Sequence, residues 1–230
     1  MKKIGLLFLA CMIFSPCVMA KNQPTQTVQQ TQIWQNKAIK PAMNKRLSGS
    51  LPYFSNPKLA FINRHLQQFL HQYFDNKNVI DAVEAEVSYR IIYQSDSVLT
   101  FAIDYKVSDM TSRYFTDYYT VDLQKNRWFD MQNYLAENHI DKAHIAKKIG
   151  KLLQQCDAST TENTSSNAEF CDDIRLMYFD GAFDPEFLDL KYRHQLYIAG
   201  HQQLGISYHS AKVTTAFKYD IAKDSVELTQ

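Results

Sequence analysis

The chain has 230 residues, enough for one domain of ordinary size or two small ones, with 45% apolar and 13% aromatic residues to build a core. Its charges nearly cancel, 25 Lys+Arg against 24 Asp+Glu, which argues against a nucleic-acid binder with its usual basic excess and against an acidic disordered chain. Only 6 Gly and 6 Pro exclude collagen-like or low-complexity architecture.

Residues 1–20 read as a secretory signal peptide. Lys2 and Lys3 form the positive end, Ile4–Phe14 the apolar stretch, and Ser15-Pro16 breaks it; Val18-Met19-Ala20 then precedes a cut before Lys21. The apolar run is shorter than the roughly 20 residues a membrane-spanning helix needs. Cys17 raises a minor lipoprotein form, but Pro16 before it is poor for that cut. The expected location is the bacterial periplasm or exterior, with no membrane span after cleavage. Cleavage leaves 23 basic against 24 acidic residues.

Residues 21–37 are Gln/Thr-rich, with Trp34 as the one large anchor, and read as a disordered lead-in whose end pairs as a first strand with 39–51. Residues 38–230 read as a single domain. Asn56-Pro57 is a helix cap followed by a proline at the first helical position, and the helix runs to about Phe74. Its stripe is Leu59, Ile62, Leu66, Phe69, Leu70 and Tyr73. Three strands follow. Val83, Ala85, Val87, Tyr89, Ile91 and Tyr93 alternate with polar residues, as do Leu99, Phe101, Ile103, Tyr105 and Val107; the third strand carries Phe115, Tyr119, Val121 and Leu123. A second helix from about Asp141 to Gln155 shows Ile145, Ile149, Leu152 and Leu153. Last comes a hairpin turning at 200–203, with a further strand near 213–219. The order strand, helix, strands, helix, strands predicts an α+β fold, an antiparallel sheet packed by two main helices.

Two cysteines remain beyond the leader, Cys156 and Cys171. An even count in an oxidising compartment predicts one disulfide. Closing the Ser/Thr/Asn-rich loop between them would stabilise the fold by on the order of 3 kcal/mol in the chain-entropy model.

Few motifs carry chemistry. His194 and His209 are the only metal candidates; they sit roughly opposite one another if the last hairpin turns near 201–202, but no second ligand pair accompanies them. No nucleophile elbow and no Gly-rich phosphate loop occurs, and no cofactor is expected. Glu84, Glu86 and Asp104 are acids of the type a glycosidase pairs, yet each falls in the polar phase of its strand. The strongest charge feature is 169–189. Glu169, Asp172, Asp173, Asp180, Asp184, Glu186 and Asp189 face only Arg175, interleaved with Tyr178, Phe179, Phe183 and Phe187. The stretch reads as a solvated acidic loop with rings dipping into the core, or as a contact surface for a basic partner or a calcium-tolerant loop.

Three segments together resemble a secreted domain family. They are Leu51–Leu70 with Ile62-Asn63, then Val121-Asp122-Leu123-Gln124-Lys125-Asn126-Arg127-Trp128-Phe129-Asp130-Met131, and the hairpin Gln195–Ile198 with Leu204–Tyr208. The family is the RsiV-like one, which includes the ectodomain of a lysozyme-sensing anti-sigma factor and an accessory domain of some peptidoglycan deacetylases. It is a domain of largely unknown function. Two departures stand out: Asp109–Arg113 replaces a Gly-rich turn with a His, and Asn126 replaces a turn glycine. The resemblance implies the fold and work at the cell envelope. The expected function is therefore an exported, non-enzymatic domain binding a protein or glycan, with a basic lysozyme-like protein or peptidoglycan as partner. The alternatives are a cell-wall hydrolase using paired carboxylates and a purely structural domain.

Overall fold

A computed structural model of the chain describes residues 32–39, 47–74, 84–108, 112–158, 196–209 and 214–229. The leader, most of the Gln/Thr-rich stretch, Val83 and Val213 lie outside these residues, as do the side chains of Tyr73 and Leu153.

The described residues form an α+β fold of ten strands in two sheets, with three helices. The first sheet runs in spatial order β1 (Gln35–Ala38), β2 (Leu47–Tyr53), β3 (Glu84–Gln94), β4 (Val98–Ser108), β5 (Ser112–Asp122) and β6 (Arg127–Trp128). α1 (Ala60–Phe74) connects β2 to β3, and these two strands pair in parallel; every other pair is antiparallel. Helices α2 (Met131–Glu137) and α3 (Lys142–Ala158) follow. The second sheet comprises β7 (Leu196–Gly200), β8 (Gln203–His209), β9 (Thr214–Asp220) and β10 (Ser225–Thr229), paired in sequence. The sequence suggested one sheet. The division into two is a matter of which strands fail to pair, which alternation within each strand does not encode.

α1 forms where its cap says it should. The Asn56 side chain accepts from Lys58 N at 3.0 Å, Pro57 opens a 3-10 turn, and the turn runs into the helix. Asn63 then ties the helix to the end of β2. Its Oδ1 accepts from Phe54 N at 3.0 Å and its Nδ2 donates to Phe54 O at 2.7 Å. Leu59, Ile62, Leu66, Phe69 and Leu70 are buried against Val87, Phe101, Ile103, Tyr105 and Tyr119 on one face of the first sheet. Each such side chain contributes about 2 kcal/mol of hydrophobic stabilisation.

The opposite face of that sheet meets the second sheet. Alternation along β4 and β5 puts Ala102 and Tyr118 there, against Tyr197 and Ala216. The Tyr118 and Tyr197 rings stack with centroids 3.9 Å apart and planes 1° apart. Tyr197 lies over Gly205, its neighbour across the β7–β8 pair; a Cβ there would come within 2.0 Å of the ring. The outer face of the second sheet carries Leu196, Ile198, Leu204, Ile206, Phe217 and Tyr219, which pack against Ile145, Ala146 and Ile149 of α3 and Leu135 of α2. The result is four layers: helix, sheet, sheet, helices.

Two further contacts fix the layers. The N–H of Ile198 donates to Thr120 Oγ1 at 3.2 Å, so a β7 backbone donor is satisfied by a side chain of the other sheet. The β9–β10 turn is fastened to α3 through Asp224. His144 Nε2 lies 2.8 Å from its Oδ1, Lys148 Nζ 2.9 Å from its Oδ2, and the Tyr219 hydroxyl donates to Oδ1 at 2.9 Å.

Gly49 has φ 113°, and a Cβ on it would fall 1.8 Å from the carbonyl oxygen of Val87, its partner in the parallel pair. Strain and overpacking together should make Gly49→Ala less stable by about 2–4 kcal/mol in urea denaturation. Hydrogen bonds from Lys148, His144 and Tyr219 hold the Asp224 carboxyl well below the usual carboxylate range. A lowered folded value means the stability it confers is complete above the unfolded value of about 4 and lost as pH falls. Burial, then the bond to Asp224, pushes Tyr219 up to about 12, so its share is complete below about 10 and lost as pH rises towards 12. Melting temperature against pH should therefore fall less steeply on the acid side in Asp224→Asn and on the alkaline side in Tyr219→Phe than in the wild type.

Candidate binding cleft

Three turns and one short helix meet at one end of the two sheets. Each is built by local hydrogen bonding. In the β3–β4 turn, Ser95 Oγ accepts from Ser97 N at 3.3 Å and Val98 N at 3.1 Å. In the β5–β6 turn, Asp122 Oδ1 accepts from Gln124 N at 3.1 Å and Lys125 N at 2.9 Å, and Asn126 takes φ 51°, a left-handed geometry that asparagine tolerates. Leu123 N donates to Ser97 O at 2.8 Å and joins the two turns. Asp130 caps α2 by accepting from Asn133 N at 3.1 Å. The third turn, Gly200–Gln202, links β7 to β8; Gln202 has φ 54°, and its carbonyl accepts from Ile221 N at 2.9 Å.

Between them lies an open cleft of about 350 Å³. A β-bulge makes it possible. The β3–β4 register shifts between Ile91 and Tyr93. By simple alternation Tyr93 would share the α1-facing side with Ile91. Instead Ile91 packs in the α1 core, Ile92 beside the tyrosine stack, and Tyr93 in the second core, where it lines the cleft. Phe129 and Tyr134, rings 5.5 Å apart, extend the aromatic wall. Burial, then the nearby Tyr93, raises the Tyr134 hydroxyl above its ordinary value, so it stays neutral and able to donate.

The charged side chains of the cleft divide into two groups. Its carboxylates are already engaged: Asp122 by its own turn, Asp130 as the helix cap, and Glu137 by Asn133 Nδ2 at 2.6 Å. Lys125 lies 3.7 Å from Asp122. Arg127 and His201 also line the cleft, and among the described residues neither has an ion pair. A second hollow of about 330 Å³ lies between β1–β2 and α1; its wall is mainly apolar, and Asn63 in it is committed to Phe54.

None of the candidates from the sequence is among the described residues that line the cleft. Asp172, Asp173, Tyr178, Asp180, Phe183, Asp184, Glu186 and Asp189 lie outside the described residues, as do Cys171 and His194. Cys156 belongs to α3 and His209 to β8, with their side chains outside what is described. Glu84 and Glu86 are exposed on β3. Asp104 is tied into the sheet: Arg90 grips it from Nε at 2.7 Å and Nη2 at 3.2 Å, and Thr116 Oγ1 donates to it at 2.7 Å. Among the described residues no group of three His, Cys, Asp or Glu is placed to hold a metal ion, and no helix is long and apolar enough to cross a membrane.

The cleft residues Tyr93, Arg127, Tyr134 and His201 come from four separate segments, and no spacing in the sequence joins them. The available signal was indirect: Arg127 and Phe129 sit in the Val121–Met131 segment, which stood out as a motif.

Family models give no match to the chain, and a search of curated proteins gives none. Solved structures do. A DUF3298 family protein from Pseudomonas aeruginosa PAO1 is 10% identical with a TM-score of 0.46, over 84% of this chain and 92% of its own. A DUF3298 family member from Bacteroides fragilis NCTC 9343 is 12% identical with a TM-score of 0.37, over 86% of this chain and 87% of its own.

Proposed function

We propose that the chain is an exported, non-catalytic domain of the bacterial cell envelope, and that it holds a protein or glycan partner in the cleft at the turn end of its two sheets. Residues 1–20 would act as the leader and 21–37 as a lead-in, with 38–230 as one RsiV-like domain and Cys156 and Cys171 as its disulfide.

One observation supports binding over hydrolysis. Every carboxylate of the cleft, Asp122, Asp130 and Glu137, accepts a hydrogen bond from its own turn or helix. Glycoside hydrolysis instead needs two carboxyls free to face a scissile bond, one of them a proton donor with a raised pKa. Of the acids the sequence offered for that role, Asp104 is held by Arg90 and Thr116, and Glu84 and Glu86 are exposed on β3 outside the cleft. Concave sites with aromatic walls and a few polar groups are the usual form of a binding pocket.

The test uses immobilised chain with lysozyme and peptidoglycan as defined baits. At least one bait should be captured by the wild type and by Glu84→Ala, and about tenfold less by Arg127→Ala. Capture unaffected by Arg127→Ala would remove the cleft from the account. Release of soluble sugar from peptidoglycan by the chain alone would contradict the non-catalytic reading.

A further inference from the structure

The cleft's own chemistry narrows its occupant. This step rests on the cleft being the binding site. Each of its acids accepts an internal hydrogen bond, and Lys125 lies beside Asp122, whereas Arg127 and His201 have no ion-pair partner among the described residues. Among the described residues the cation of the cleft without a partner is therefore Arg127, and a guanidinium fork matches a carboxylate in geometry as well as charge. Beside these donors stand Tyr93, Phe129 and Tyr134, which offer flat apolar faces, and from the tyrosines hydroxyls able to donate and accept. A guest suited to this wall has apolar C–H faces rimmed by hydroxyls.

A peptide would also bring carboxylates, but extended peptides draw affinity from main-chain bonding to an open strand edge. The cleft offers little of that. At its β7 wall the N–H of Ile198 is already bonded to Thr120 Oγ1. In the turns and α2 that form the remaining walls, the amides of Ser97, Val98, Gln124, Lys125 and Asn133 are used in closing them. The volume, about 350 Å³, is at the small end for ligand cavities and admits a short saccharide, not a folded surface.

We infer that the cleft binds a short acidic saccharide, with Arg127 on its carboxylate, His201 as a second donor, and the Tyr93, Phe129 and Tyr134 rings against its sugar faces.

Calorimetric titration of the purified chain tests this with three probes: digalacturonic acid, the neutral α-1,4-linked disaccharide maltose, and a glutamate-terminated tripeptide. Digalacturonic acid should bind at least about tenfold more tightly than either of the others. Arg127→Gln should remove that preference, and Tyr134→Phe should weaken digalacturonic acid and maltose alike. Both variants should melt as the wild type does, Arg127 being an exposed end of a two-residue strand and Tyr134→Phe keeping its ring. Equal binding of maltose, or an Arg127→Gln variant that keeps the preference, overturns the inference. Preference for the tripeptide overturns it in favour of a protein partner. In each of these cases, loss of bait capture in Arg127→Ala still supports the cleft as the binding site. If no probe binds and Arg127→Ala captures bait normally, both the inference and the cleft reading fail.

Discussion

Two tyrosine rings, stacked 3.9 Å apart, set the distance between the layers of this fold. Tyr118 comes from the middle of β5 and Tyr197 from β7, so the stack joins the first sheet to the edge strand of the second. So close an approach requires small residues around it. Gly205 leaves room for the Tyr197 ring, and Ala102 and Ala216 complete the layer. Burial, reinforced by the neighbouring Tyr118, raises the Tyr197 hydroxyl far above its usual value, so the stacked hydroxyl stays neutral. With β7 held there, its Ile198 N–H meets Thr120, and the Gly200–Gln202 turn arrives beside the turns of the first sheet. The cleft is a consequence of that arrival.

The same arrangement explains how the charged residues are used. Asp224 fastens α3 to the β9–β10 turn, and Asp122 and Asp130 shape a turn and a helix start. Arg90 and Asp104 brace β3 and β4 on the face shared with the second sheet, and that pairing raises the Arg90 pKa. Asp104, placed in the polar phase of its strand, thus serves as a tether. Among the described residues that line the cleft, Arg127 and His201 take no part in such tethers.

Much of the local structure was legible in the sequence. α1 could be read because its signals are adjacent in the chain: Asn56 and Pro57 at its start, and a stripe that repeats every three or four residues. The alternation of β4 was likewise visible, since a face buried under α1 must be apolar at every second position. Longer-range features were not. The bulge at Ile91–Tyr93 is invisible to alternation, because Tyr93 suits a buried position on either face. The parallel β2–β3 pair depends on where the chain returns after α1, and Gly49, which permits it, is one glycine among six. The cleft was hidden for the same reason, being assembled from turns far apart in the chain. The acidic stretch attracted notice by composition, which marks charge without placing it.

The central claim is that the stack makes the two sheets one cooperative unit. Native-state hydrogen exchange tests it most directly, by comparing the amides of Phe101 and Ile103 in β4 with those of Leu204 and Ile206 in β8. Cooperative units open together, with one free energy for all their slowest amides. The account predicts a common opening free energy in the wild type, and in Tyr197→Leu a value for β8 that drops below that of β4. A second sheet that already opens about 2 kcal/mol more easily than the first in the wild type would contradict it.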